Sequence, residues 1–220
     1  MSGSTRQKHT RAFTLVELLV SIAIIGILTS IVTLRYQSFD GTVLLKSAAY
    51  DIALALREVQ VKASSISRGV EGICNTQTGS SDCRFDYPYG MSFEPNSKEY
   101  IAFQYASSTS LTPYYDINEM VTPKARHLAT STIGRTMYVS DVCVTNASNA
   151  TLCSADGITR LDVSFKRPEY KGIVCYRMSG NNTVCPQNII AADVKVSTPT
   201  GKNTFVVTVS ALGQISVAKQ

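Results

Sequence analysis

One acidic residue, Glu17, interrupts an apolar run that extends from Phe13 to Leu34. A charged side chain inside a membrane-spanning helix costs roughly 2.5 to 3.5 kcal/mol, so such a group is usually kept for a partner or a pathway. The two histidines of the chain, His9 and His127, lie in no pattern that would activate a nucleophile or bind zinc. We therefore predict charge recognition at Glu17, no enzymatic activity, and no cofactor or metal.

Six cysteines fall into three closely spaced pairs that could form disulfides. The pairs are Cys74 with Cys83, Cys143 with Cys153, and Cys175 with Cys185. Close pairs joined by turn-rich loops are typical of local disulfides in an oxidising compartment, although six cysteines permit 15 connectivities. A zinc site would instead show two-residue spacings or neighbouring histidines. We predict three local disulfides.

The first twelve residues are polar and basic, with Arg6, Lys8 and Arg11 preceding the apolar run. The run of about 22 residues is long enough to span a bilayer, for which ~20 suffice. It is longer than the apolar region of an ordinary secretory signal, which has about 7 to 15 residues. Because basic residues flank the cytoplasmic end of a span, we expect the N-terminus inside and everything after Leu34 outside.

Residues 12–20, AFTLVELLV, resemble the processing and assembly motif of type IV prepilins and type II secretion pseudopilins. In that family a membrane peptidase cuts before the phenylalanine and methylates the new amino group. The resemblance implies cleavage between Ala12 and Phe13, N-methylation of Phe13, and pairing of Glu17 with the amino group of a neighbouring subunit. The family strongly prefers glycine at the position that Ala12 occupies here.

The resemblance also implies partners and a location. A prepilin peptidase would process the chain, and other pilin or pseudopilin subunits, the inner membrane and an assembly platform would receive it. The chain would begin as a single-pass inner-membrane protein with its N-terminus in the cytoplasm, and would end in an extracellular or periplasmic filament. Leu34 stands where many major pilins carry proline, which favours a minor subunit or a pseudopilin. The closing hairpin, residues 204–218, is similar to that of H-type minor pseudopilins.

Three segments are predicted to carry these residues: a cleaved leader over 1–12, a helix over 13–66 and a globular head over 67–220. The helix spans the membrane to about residue 34 and is amphipathic beyond it. In its second half, apolar residues recur in alternating steps of four and three, which is one helical face. They are Leu45, Ala49, Ile52, Leu56, Val59 and Ala63. Asp40 and Gly41 predict an irregularity between the two halves.

Short β-branched and aromatic runs after Gly69 predict an antiparallel sheet, so the fold class is α+β, with the long helix packed on a β head. The predicted strands are 90–93, 99–106, 136–145, 160–166, 172–177, 189–197, 204–210 and 214–218. The Ser/Thr-rich stretch 107–134 is predicted to be a loop.

The formal charge of +5 overstates how basic the chain is, because three of its 21 basic side chains lie in the first twelve residues. The remainder carries 18 basic against 16 acidic side chains. Nucleic-acid binding is therefore predicted to be unlikely. One regional basic cluster, formed by Lys166, Arg167, Lys171 and Arg177, keeps a DNA-binding minor pilin open as an alternative. An uncleaved, signal-anchored surface binding protein is the other alternative.

Overall fold

The structure is a computed structural model of the 220-residue chain. It describes residues 14–65, 88–105, 115, 125–134, 136–167, 171–180, 183–199, 201 and 203–220. The chain divides into two compact units, Met1–Thr42 and Val43–Gln220. The predicted boundaries of leader, helix and head stay predictions.

The helix, α1, runs from Leu15 to Ser64. Its bounds include Asp40 and Gly41, and the irregularity predicted at these two residues stays a prediction. A glycine in a helix interior costs only about 1 kcal/mol relative to alanine, which does not end a helix that propagates on both sides. At the C-terminal end, the hydroxyls of Ser64 and Ser65 donate to carbonyls of the last turn and satisfy groups that lack helical partners.

The predicted apolar face of the second half of α1 is confirmed. All six residues of that face, from Leu45 to Ala63, are buried in the core of the second unit. The other side of this core is formed by side chains from both sheets, including Met91 and Leu161 from one sheet and Val194 from the other. The steps of four and three therefore identified the face of the helix that the β-structure covers.

Eleven strands in two antiparallel sheets form the β-structure of the described residues. Their bounds are Tyr89–Phe93 (β1), Glu99–Tyr105 (β2), Ala125–Thr132 (β3), Tyr138–Asn146 (β4), Thr151–Cys153 (β5), Ile158–Phe165 (β6), Gly172–Met178 (β7), Thr183–Val184 (β8), Ile189–Ser197 (β9), Thr204–Ser210 (β10) and Ile215–Lys219 (β11). The six-stranded sheet has the order β3-β2-β1-β6-β7-β8, and the five-stranded sheet has the order β11-β10-β9-β4-β5. The predicted α+β class is confirmed.

One strand, β3, lies inside the stretch 107–134 that was predicted to be a loop, so that prediction is wrong over residues 125–132. The strand pairs with β2 from Glu99 opposite Thr132 to Tyr105 opposite Ala125. Its sequence, ARHLATST, shows little apolar alternation because it is an edge strand, bonded on one side only. Pairing with a neighbour that precedes it by about 20 residues, rather than local pattern, makes it a strand.

The closing hairpin forms as predicted, with β10 and β11 joined by a turn at residues 211–214. Gly213 in this turn adopts a positive φ of 81°, which glycine tolerates without strain. The side chain of Gln60 on α1 donates to the Gly213 carbonyl at 2.9 Å. The turn of the closing hairpin is thus bonded to α1.

Two disulfides join neighbouring strands of the head. Cys143 of β4 is bonded to Cys153 of β5, and Cys175 of β7 is bonded to Cys185, the residue that follows β8. Both are pairs that the spacing predicts. The third predicted pair, Cys74 and Cys83, lies outside the described residues. A local ring of about ten residues adds on the order of 2 to 3 kcal/mol in the chain-entropy account of disulfides.

Candidate functional site

The start of α1 is fixed by two residues of the N-terminal motif. The Oγ1 of Thr14 accepts a hydrogen bond from the backbone N–H of Glu17 at 3.3 Å, and the Thr14 carbonyl accepts one from Leu18 at 3.2 Å. A threonine followed three residues later by glutamate has the spacing of a capping box. Glu17 lies in the first turn, where a negative charge is favoured by the helix dipole. The motif therefore both begins the helix and places its carboxylate there.

The following segment, Leu15–Thr33, is long and apolar enough to cross a membrane, and no part of it is buried. The hydroxyls of Ser21, Thr29 and Thr33 each donate to the carbonyl four residues earlier. Polar groups in lipid must be satisfied internally, and these three are. Glu17 is the only charged side chain of the segment.

Within the described part of the chain, the Glu17 carboxylate makes no hydrogen bond or ion pair, and the bonds to Thr14 and Ser21 use the backbone N–H and carbonyl of Glu17. A carboxylate in lipid needs a compensating charge. Ala12 and Phe13, the other residues predicted to act here, lie outside the described residues. Cleavage, methylation and the pairing of Glu17 therefore stay predictions.

A second apolar surface lies on the part of α1 that belongs to the second compact unit, Val43–Gln220, which we call the head unit; this surface was not anticipated from the sequence. Val43, Tyr50, Leu54 and Val61, which we call the outer stripe, are 49%, 47%, 66% and 62% exposed. At ~100° per residue they lie within about 40° of one another and nearly opposite the buried face. An aligned set of exposed apolar side chains is typical of an interaction surface. The steps of seven, four and seven could have revealed it.

A buried polar cluster lies on the face of the six-stranded sheet that points away from α1. Arg160 and Asp162 of β6 are 3% and 0% exposed, and Arg160 Nε lies 3.5 Å from Asp162 Oδ2. The backbone N–H of Tyr115 donates to the same oxygen at 3.3 Å, and the Arg160 guanidinium donates to the Tyr115 carbonyl. The guanidinium also lies 5.6 Å from the centre of the Tyr115 ring. The cluster thus binds the chain at Tyr115 to the sheet.

Burial raises the pKa of Asp162 from its ordinary value of 3.8 to about 6. Arg160, a hydrogen bond with Ser92, the Tyr115 backbone and Arg177 act in the opposite direction, but they do not outweigh the loss of hydration. Apolar and polar residues alternate along β6, with Leu161 and Val163 in the core, and this alternation places Asp162 on the other face of the sheet. That the opposite face is buried as well was missed, because alternation does not reveal what covers each face.

His127 belongs to no catalytic arrangement among the described residues. It lies exposed on β3, its Nε2 is 3.2 Å from Thr130 Oγ1, and its ring centre is 6.4 Å from that of Tyr115. A serine-histidine-aspartate site needs the imidazole bonded to both of its partners, and here its hydrogen-bond partner is a threonine.

One group of potential metal ligands occurs among the described residues, formed by Asp141, Cys143 and Cys153. The two cysteines are joined in a disulfide and offer no thiolate. Asp141 accepts hydrogen bonds from Ser154 and, at 2.9 Å, from Lys195. Burial alone would raise the pKa of Asp141, but these bonds and the Lys195 charge outweigh it and lower the pKa. The group stabilises the β4–β5 hairpin and is no metal site.

The basic cluster predicted from the sequence is brought together only in part. Lys166, Arg167 and Lys171 line one cleft at the ends of β6 and β7. Arg177 does not line it and lies further along β7, opposite Arg160 of β6.

A family model described as the prokaryotic N-terminal methylation motif matches residues 7–33. This motif is typical of type IV pilins and pseudopilins, so the resemblance drawn from residues 12–20 is confirmed at that level. The motif indicates a structural subunit rather than an enzyme, and implies processing by a prepilin peptidase and assembly with other pilin subunits. No curated protein matches the chain. No solved structure matches it.

Proposed function

We propose that the chain is a structural subunit, and specifically a minor one, of a type IV pilus or a type II secretion-like pseudopilus. The observation that carries this proposal is the methylation motif over residues 7–33, which overlaps the apolar segment Leu15–Thr33, no part of which is buried. Leu34 in place of proline and the closing hairpin similar to that of H-type pseudopilins support a minor role.

In this proposal a prepilin peptidase removes a leader over residues 1–12, leaving a helix over 13–66 and a head over 67–220. The cut falls between Ala12 and Phe13, and the new amino group of Phe13 is N-methylated. Before the cut, the chain is held in the inner membrane with its N-terminus in the cytoplasm and the head outside. An assembly platform then moves it into the filament.

The new amino group carries a positive charge close to the depth of Glu17. An unpaired carboxylate in lipid is costly, and pairing with the Phe13 amino group of an adjacent subunit offsets that cost. The first-turn position of Glu17 supports this role, because it lies one helical turn from the proposed cut. Correct neighbours are thereby selected by a charge match inside an apolar environment.

The outer stripe extends the assembly surface into the head unit. Its four side chains lie on the face of α1 opposite the core, where a neighbouring helix can cover them. Burying a side chain such as Leu54 contributes about 1.5 to 3 kcal/mol. The apolar span and the outer stripe together give α1 contacts along much of its length.

The proposal is tested by the mass of the N-terminal peptide of the protein purified from its own membranes or culture fluid. We expect a peptide that begins at Phe13 and is heavier by one methyl group. A peptide that retains Arg6 to Ala12 contradicts the proposal and supports the uncleaved, signal-anchored surface protein instead.

A further inference from the structure

The charged side chains beside the outer stripe of α1 are divided by sign. At ~100° per residue, Lys46 and Arg57 lie about 60° to 80° from Leu54 on one side of the stripe, which we call the basic border. Asp51 and Glu58 lie about 40° to 60° from Leu54 on the other side, which we call the acidic border. All four are exposed, so each border is open to a partner.

The basic border keeps its charge within the head unit. Lys46 Nζ lies 5.8 Å from the centre of the Tyr50 ring, a cation–π contact that holds the ammonium beside the stripe without neutralising it. Arg57 Nη1 donates to Gln60 Oε1 at 3.1 Å, and this bond uses one of the five guanidinium donors. Neither cation is ion-paired in the part of the chain that the structure describes.

The acidic border is carried by Asp51. Its carboxylate makes no hydrogen bond or ion pair with any described residue. Glu58 adds little, because it is paired at 2.7 Å with Lys62, one turn further along the same helix. Lys46 and Asp51 are five residues apart and about 140° apart around the helix, so they cannot meet within one chain. Each therefore needs a second chain as its partner.

We propose that the outer stripe binds a second copy of this chain, with the two α1 helices parallel and in register. In such a pair the basic border of each helix faces the acidic border of the other, and Lys46 lies opposite Asp51 of the partner subunit, as in the ion pairs that flank parallel coiled coils. In an antiparallel pair, borders of like charge would face each other. The inference rests on the proposed function, because it names the neighbour that covers the stripe during assembly.

The test is disulfide cross-linking, in the membranes of the cells that make the protein, of variants that each carry one added cysteine. Val43→Cys and Val61→Cys place this cysteine at stripe positions about 27 Å apart along the helix. We expect both variants to give a product of twice the mass of the chain, because equal positions meet all along a parallel, in-register pair. An antiparallel pair brings equal positions together at one height only.

Two controls measure random collision. The first is Glu99→Cys, which places a cysteine at an exposed position of the six-stranded sheet, and the second is the unmodified protein. Both should give no cross-linked dimer.

A charge exchange tests the two borders separately from the apolar contact. Lys46→Glu and Asp51→Lys, each combined with Val61→Cys, should lower the cross-linked fraction about tenfold, because two attractions per pair become repulsions. Carrying both exchanges in one chain should recover most of the cross-linking. This recovery must arise between chains, since the two side chains do not meet within one.

Four results would overturn the inference. They are no cross-linking by either stripe variant, cross-linking only when the Val43→Cys and Val61→Cys proteins are mixed, a product that contains a different protein, and no recovery in the double exchange. The second would show an antiparallel pair, and the third would assign the stripe to another subunit.

The mass of the N-terminal peptide from the same preparations separates this inference from the proposed function. A methylated Phe13 without cross-linking overturns the pairing and leaves the filament subunit standing. An intact leader with cross-linking of both stripe variants does the reverse.

Discussion

The buried carboxyl of Asp162 should make the head less stable as the pH rises from 4 to 7. Its pKa is raised from 3.8 to about 6, so the folded state favours the protonated acid. The stabilisation is fully present below pH 3.8 and is lost as the pH rises through about 6. A shift of about two pKa units corresponds to roughly 3 kcal/mol of unfolding free energy.

The assay is urea unfolding of the full chain in detergent at several pH values between 4 and 7, for the unmodified protein and for Asp162→Asn. Asparagine resembles the neutral acid and cannot ionise. The difference in unfolding free energy between the two proteins should therefore shift by roughly 3 kcal/mol against the unmodified protein over this range. Comparing the two removes the contributions of every other titrating group.

Glu99→Gln is the control, because Glu99 is an exposed acid in the same sheet. A difference for Asp162→Asn that is independent of pH would refute the reasoning. A difference of the opposite sign would show that the ion pair with Arg160 outweighs desolvation, which burial of both groups argues against.

Three further changes test the assembly surfaces and the partly buried acid Asp141. Glu17→Ala should leave cleavage intact but reduce incorporation into filaments, measured by shear fractionation. The control is Glu58→Ala, which removes an exposed acid on the same helix and should not reduce incorporation. Leu54→Ala should reduce assembly without lowering the unfolding free energy, whereas Leu56→Ala, at a fully buried position two residues away, should cost about 2 to 5 kcal/mol of stability in urea unfolding. Asp141→Asn should lose stability at neutral pH, and this loss should shrink as the pH falls below 3.8, because the folded pKa of Asp141 is lowered. The opposite outcome for either leucine would mean that the two faces of α1 have been assigned wrongly.

The periodicity of apolar residues in the sequence was sufficient to predict those helices and strands whose apolar face is covered by the core. The buried face of α1 follows a helical period, so its residues could be named from the sequence alone. The strands β9 and β10 were predicted with the bounds that they have, because each alternates and is flanked by turn residues.

The remaining features depend on distant partners that local pattern does not reveal. The strand β3 exists because β2 bonds to it, and its own residues are mostly small and polar. Asp162 is buried because the chain at Tyr115 lies over it, and nothing near Asp162 in the sequence encodes that contact.

The strand order also sets a sequence of folding events during synthesis, when the N-terminal part of a chain is available first. The six-stranded sheet can complete its pairing once Val184 has been made, because all of its strands lie between residues 89 and 184. The five-stranded sheet cannot be completed at that point. Its strand β4 pairs with β9, which in turn pairs with β10, and β9, β10 and β11 are the last strands of the chain to be made. Until they arrive, β4 has β5 as its only partner strand in this sheet, together with backbone bonds from Val139 to Asn96 and Ser97, and a two-stranded ribbon is marginally stable without a cross-link such as the Cys143–Cys153 disulfide. That disulfide therefore has its greatest value in the unfinished chain, where it preserves a template onto which the last three strands add.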